Sequence, residues 1–335
     1  MERPAVYVTR ELPGRALARL EARARVSLWR GPGGAPRSVL EDGVRDAAGL
    51  LCLLTDRVDA ALLAGAPRLR VISSCSVGLD HVDLAAATAR RIPVGHTPGV
   101  LTETTADLTL GLLLAAARRI PEADRFVRTG AWTPERRWEP EMLLGRDLYG
   151  STVGLVGLGA IGQAVARRLV GFSCRILGWT RSGRDVPGVE PAELDGLLAA
   201  ADFVSLHVAL TPETRGLLGA ERLAAMKPGA ILVNAARGGL VDEAALAQAL
   251  RTGALAAAGL DVFAAEPIDA GSPLLGLDNV VVAPHIGSAS IRTRERMAAL
   301  AVDNLLAGLS GRALPACANP EVEPLEVDPG GGATG

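Results

Sequence analysis

VGLVGLGAIGQAVARRL, Val153–Leu169, is the stretch that decides the fold. The apolar run Val153–Val156 reads as a buried strand, and the pattern from Ile161 onward reads as a helix. Between them stands GLGAIG, Gly157–Gly162. Strand, glycines and helix in that order are what a dinucleotide needs. Gly157 permits the tight turn, Gly159 lets a pyrophosphate approach the backbone, and Gly162 lets helix and strand pack closely. The diphosphate then meets the amides of Ala160 and Ile161 at the positive end of the helix.

Working outward, short apolar runs alternate with helical patterns on both sides. Before the glycine loop, Val6–Val8, Leu50–Leu54 and Val71–Ser73 read as strands, and Arg15–Arg23, Asp59–Ala64 and Leu84–Arg90 as helices. Pro93 and Pro98 punctuate the chain, and a long helix is expected from Thr102 to Arg119, stopped by Pro121. Trp132–Gly150 reads as a connector. After it, the spacing predicts six strands: Thr152–Val156, Arg175–Trp179, Phe203–Val208, Ala230–Asn234, Ala258–Val262 and Val280–Ala283. The helices between them are Ile161–Val170, Glu193–Ala199, Glu221–Met226 and Asp242–Arg251, and a last helix runs from Ser288 to Gly308. Alternation of this kind means parallel βαβ units. The expected fold class is α/β, with two Rossmann-like doubly wound parallel-sheet domains, one flavodoxin-like and one dinucleotide-binding. The expected division is 1–98 with 288–320, and 99–287. The tail 321–335, ending GGGATG, reads as disordered.

Composition narrows the function. The chain has 335 residues, a formal net charge of −2 and 3% aromatic residues. No basic field or stacking surface invites nucleic acid or an anionic membrane. The four cysteines, Cys52, Cys75, Cys174 and Cys317, form no CxxC pair. They suggest neither a disulfide framework nor a metal site, and they suit a reducing compartment. The one lysine is Lys227, and no GxxxxGK[ST] loop exists. The start is too polar for a signal peptide, and Leu108–Ala117 is too short to span a bilayer. A cytoplasmic protein is expected.

The end of the second strand bears on the choice of nucleotide. An Asp or Glu there would accept the ribose hydroxyls of NAD. The sequence has Thr180 instead, followed by Arg181, Ser182, Gly183 and Arg184. No acid repels a 2′-phosphate, and two guanidiniums and a hydroxyl can bind one. NADP(H) is therefore the expected cofactor, with NAD(H) possible.

Four further segments carry polar residues where an open α/β sheet places its ligands: SVGLDH (Ser76–His81), NAARGGLVDE (Asn234–Glu243), GLDVFAAEP (Gly259–Pro267) and APHIGSAS (Ala283–Ser290). With VLTETTAD, GLGAIGQAVARRL and LTPET, they resemble in order the motifs of the D-isomer-specific 2-hydroxyacid dehydrogenases. The likeness runs to about Pro320. LLCLLTDRVD, VISSCSVGLDH and PHIGSASIRTR most resemble the glyoxylate/hydroxypyruvate reductases of that family.

The resemblance implies a catalytic set of Arg237, Glu266 and His285. Reduction of a 2-keto acid leaves charge on the carbonyl oxygen, and an imidazole is the natural proton donor to it. Glu266 would hold the other ring nitrogen, and Arg237 would fork onto the substrate carboxylate. It also implies carboxylate contacts from Val77, Gly78 and Ser288, and cofactor contacts from Thr105, Ala209, Pro212, Ala235, Asp261 and Gly287. His81, His96 and His207 read as structural, with His81 pinning the turn after Gly78. Val100–Leu114 resembles the helix that builds the family's dimer, and Trp138 lies where relatives carry an interface Trp, so a homodimer is expected. The resemblance further implies two lobes closing over a cleft. The expected reaction is NADPH-dependent reduction of glyoxylate and hydroxypyruvate. Alternatives are another 2-keto acid, or a nucleotide-sensing corepressor on the same fold.

Overall fold

In the computed structural model, residues 3–181 and 183–322 are described. Ser182 and most of the expected tail lie outside them. The chain forms two compact units, one built from the chain up to Leu101 and from Ala289 onward, the other from Thr102–Ser288.

The first unit begins β1 (Ala5–Val8), α1 (Ala16–Glu21), β2 (Arg25–Leu28), α2 (Arg37–Val44), β3 (Gly49–Cys52), α3 (Ala60–Ala64), β4 (Val71–Ser74), α4 (Leu84–Ala89), β5 (Val94–Gly95). All pairings in its sheet are parallel, in the order β2-β1-β3-β4-β5. That is the flavodoxin-like doubly wound order. Side chains alternate between its two faces as the pleat requires. Tyr7, Leu50 and Ile72 pack with the residues of α2, α3 and α4, while Val6, Val8, Leu51 and Val71 pack with α1.

The second unit holds α5 (Thr102–Ala117), α6 (Ile120–Arg128), β6 (Thr152–Val156), α7 (Ala160–Leu169), β7 (Arg175–Trp179), β8 (Glu190–Pro191), α8 (Leu194–Ala200), β9 (Phe203–Leu206), α9 (Ala220–Ala225), β10 (Ala230–Asn234), α10 (Glu243–Arg251), β11 (Leu255–Leu260) and β12 (Val280–Val282). Its sheet is wholly parallel, in the order β12-β11-β10-β9-β6-β7-β8. Both faces are covered: Leu232, Val204 and Val156 join α8, α9 and α10, while Ile231, Val233 and Leu155 join α5 and α7. The last helix, α11 (Ile291–Leu309), belongs to the first unit and covers the face of β3 and β4 that α1 shares.

Three expectations need correction. The long helix ends at Ala117 rather than Arg119, because Arg119 adopts φ +53 and breaks the ladder. Pro121 then opens α6 rather than merely stopping α5, its fixed φ suiting a first turn where the missing N–H costs nothing. The dinucleotide-type sheet has seven strands among the described residues, not six, since β8 adds a two-residue edge beside β7. Val322 is buried at 6% and donates its N–H to Asn319, so the packed chain extends past Pro320. Among the described residues, no helix is long and apolar enough to cross a membrane.

Candidate active site

In a parallel sheet every strand ends on the same edge, so the loops after β6, β7, β9, β10, β11 and β12, the last of which carries Gly287, emerge together. The expected cofactor residues of the second unit lie on those loops, or on the helix that meets them. Gly157–Gly162 follows β6, Arg181 and Arg184 follow β7, and Ala209 and Pro212 follow β9. Ala235 follows β10, Asp261 follows β11, and Thr105 sits in the first turns of α5. Val77 and Gly78 belong to the first unit. There, Ser76 Oγ donates to the Gly78 carbonyl at 2.8 Å, and His96 Nδ1 meets the Val77 carbonyl at 3.2 Å.

The glycine loop has the shape its sequence demands. Gly157 sits at φ +106, and a Cβ there would lie 2.6 Å from the His207 carbonyl oxygen. A Cβ on Gly162 would lie 2.0 Å from the Gly157 carbonyl oxygen, so helix and turn could not approach otherwise. Around Gly159, which caps α7, space is open to 4 Å. The first amides of α7, next to this opening, have no partners within the helix. The cradle therefore fits a dinucleotide diphosphate. Beneath it, His207 Nε2 lies 2.9 Å from Ser205 Oγ, and burial holds the His207 imidazole down at about 4.

His285 and Glu266 come from loops nineteen residues apart and meet directly, with Nδ1 2.7 Å from Oε2. The other carboxylate oxygen, Oε1, accepts the Phe263 N–H at 3.1 Å. Burial alone would lift the Glu266 carboxyl. The His285 and Phe263 hydrogen bonds and the charges of His285 and Arg237 outweigh it, holding the group below the usual glutamate range. The two side chains keep 27% and 31% of their surface exposed, so the pair is reachable.

Asp261 fixes the His285 backbone. Its carbonyl accepts the His285 N–H at 2.8 Å, and its carboxylate accepts those of Ile286 and Gly287, both at 2.7 Å. These bonds hold His285 at φ +54, in the left-handed region that a bulky residue avoids unless held. Thr105 Oγ1 donates to the Gly287 carbonyl at 3.0 Å from the other side. Burial raises the Asp261 carboxyl above the ordinary aspartate value, against the pull of the two amides.

Two supports of Arg237 escape a sequence reading. Asn234, 1% exposed at the end of β10, accepts the Ala236 N–H with Oδ1 and donates Nδ2 to the Arg237 carbonyl. Its signal is an Asx turn whose asparagine stands three residues before the arginine. Gly238 is the second: a Cβ there would lie 1.8 Å from the Phe263 carbonyl carbon. The loop carrying Arg237 thus rests on the backbone of the loop carrying Glu266. His81 Nε2 lies 2.9 Å from Ser74 Oγ, which in turn is 2.7 Å from Ser76 Oγ. Ser288 ends the second unit, directly after Gly287.

An imidazole paired to a carboxylate beside a guanidinium can move a proton to or from an oxygen whose neighbouring acid group the guanidinium binds. Residues 110–287 match the NAD binding domain of the D-isomer specific 2-hydroxyacid dehydrogenases. The chain is 49% identical to the glyoxylate reductase of Korarchaeum cryptofilum over 333 residues, covering 98% of this chain and 99% of that one. A crystal structure of a protein from Thermus thermophilus shares 53% identity at a TM-score of 0.89, covering 94% of this chain and 99% of the other. The NADPH-dependent glyoxylate/hydroxypyruvate reductase of Sinorhizobium meliloti, solved with NADP and malonate, shares 37% at a TM-score of 0.85, covering 96% and 98%. The chain belongs to the D-isomer-specific 2-hydroxyacid dehydrogenase family, as one of its NAD(P)-dependent oxidoreductases.

Proposed function

We propose that this enzyme reduces glyoxylate to glycolate and hydroxypyruvate to D-glycerate, with NADPH as the preferred reductant. The observation that carries the reading is the His285–Glu266 pair at 2.7 Å beside the Arg237 loop. With Nδ1 engaged by Glu266, Nε2 is the nitrogen left to serve a substrate oxygen. His285 donates a proton to that oxygen, and Glu266 holds the ring by its other nitrogen. Arg237 binds the substrate carboxylate, with Ser288 and the amides of Val77 and Gly78 as further ligands. The dinucleotide supplies the hydride when bound. The glycine loop with Ala160 and Ile161 would hold its diphosphate, and Thr105, Ala209, Pro212, Ala235, Asp261 and Gly287 would line the rest of its site.

NADPH is favoured because Thr180 stands where NAD enzymes carry an acid, and Arg181 and Arg184 are exposed just beyond β7. Hydrogen bonds to a charged group contribute about 1.5–3 kcal/mol each. One such bond to a 2′-phosphate gives kcat/KM for NADPH about tenfold or more above that for NADH. A steady-state panel of 2-keto acids with both nicotinamides checks both halves. Equal use of the two cofactors removes the arginines from the argument. No turnover of glyoxylate or hydroxypyruvate overturns the substrate reading.

A homodimer accompanies this reading. α6 buries none of its residues, and Ile120, Val127, Trp132, Trp138, Leu144 and Tyr149 are all more than half exposed within thirty residues. Apolar surface so concentrated calls for a cover. Sedimentation is expected to give twice the 34.6 kDa of one chain. A 34.6 kDa species at micromolar concentration would remove the dimer.

A further inference from the structure

The motif NAARGGLVDE does more than supply Arg237. Its last residue, Glu243, opens α10 and reaches across to the neighbouring loop, where Oε1 accepts the Ala264 N–H at 2.6 Å. Ala264 is two residues before Glu266. The Ala264–Pro267 stretch is exposed, and beyond the backbone contact with Gly238 at its start it is hydrogen bonds that hold it. One is local, from the Phe263 N–H to Glu266 itself. The bond to Glu243 is the tie to a rigid element. α10 is anchored by buried Leu246, Ala247 and Leu250, and its start is capped by Asp242, which accepts the N–H groups of Ala244 and Ala245. Val241, just before, is paired to Leu218 across a bridge.

We infer that Glu243 is a positioning residue: by holding the Ala264 N–H it keeps the Glu266 carboxylate against His285. Its carboxylate serves an amide of the neighbouring loop. The same ten-residue motif would then set both sides of the site, with Arg237 at one end and the placement of Glu266 at the other. The inference rests on the proposed roles of Glu266 and His285, and its test is chosen to separate the two.

The readout is hydrogen exchange of the Ala264 amide, followed by NMR in the full chain without substrate. An amide held by a hydrogen bond must open before it exchanges. Glu243→Ala removes the acceptor of the 2.6 Å bond, and Ala264 is expected to exchange about tenfold or more faster. Glu243→Asp, which withdraws the carboxylate by one methylene, changes the rate in the same direction and stands in if the Ala variant fails to fold. Glu243→Gln keeps an acceptor oxygen and leaves exchange near its wild-type rate. In turnover, kcat for glyoxylate falls several-fold in the Ala and Asp variants while KM holds. In a Glu266→Gln background, adding Glu243→Ala changes nothing further.

An unchanged Ala264 exchange rate in Glu243→Ala or Glu243→Asp overturns the inference, as does an unchanged kcat where the wild type turns over. So does a change in Glu243→Gln equal to that in Ala, which would make charge rather than the hydrogen bond the cause. If exchange speeds up as expected while the wild-type chain turns over no keto acid, the proposed function fails and the tie between the two loops stands.

Discussion

His285→Ala is expected to lower kcat for glyoxylate reduction by roughly 10²–10⁴-fold, the usual worth of a general acid. That factor corresponds to about 3–5.5 kcal/mol of transition-state stabilisation. The scaffold gives reason to expect a clean loss. The loop is held by backbone N–H groups on Asp261 and by Thr105 on the Gly287 carbonyl, and none of these bonds uses the imidazole. What disappears is the ring and its 2.7 Å bond to Glu266. His285→Asn is the companion variant, because Asn tolerates the φ +54 backbone better than Ala does. Both should retain NADPH binding within a few-fold, measured by fluorescence titration, while kcat collapses. A near-normal kcat in either would take His285 out of the chemistry. Loss of NADPH affinity in parallel with kcat would instead mean that the loop itself had moved.

Much of this was legible because buried parallel strands are written as apolar runs. Gly49–Cys52, Thr152–Val156 and Ala230–Asn234 lie inside their sheets, covered on both faces, and their hydrophobicity is nearly continuous. Two edge strands carry no such mark. β2, Arg25–Leu28, alternates exposed and half-buried residues, and β8 is two exposed residues, Glu190 and Pro191. α2 buries only Leu40 and Val44, too few to set a period. Arg237, Glu266, His285 and the glycine loop were legible for a different reason. They stand in short motifs whose order along the chain is distinctive. Some of their supports are contacts between segments 20 or more residues apart, such as Glu243 to Ala264, and no local pattern announces those.

Gly238→Ala should do nearly as much damage as losing a catalytic group, though it adds one methyl. The new Cβ would lie 1.8 Å from the Phe263 carbonyl carbon, 2.1 Å from its oxygen and 2.4 Å from the Ala264 nitrogen. All three are backbone atoms, with no rotamer to yield. Ordinary carbon contacts begin near 3.5 Å, so the two loops must part by about 1–2 Å. Overpacking of this kind costs about 1–3 kcal/mol of stability, a fall in Tm of roughly 2–4 °C per kcal/mol for a unit of this size. The larger effect falls on catalysis. The displaced loops carry Arg237 on one side and Glu266 on the other, and a misplacement of about 1 Å can cost 10²-fold. We expect kcat/KM for glyoxylate to drop about 10²-fold while the protein still melts cooperatively. The neighbouring Gly239→Ala is the control. Its Cβ would meet Leu210 Cδ2 at 3.1 Å, the end of a side chain that can rotate away, and activity should stay within a few-fold of wild type. If Gly238→Ala keeps wild-type kcat/KM, the backbone contact between the loops does not set the spacing of arginine and glutamate. If both variants fall alike, added bulk anywhere in the turn, rather than this contact, is what the site does not tolerate.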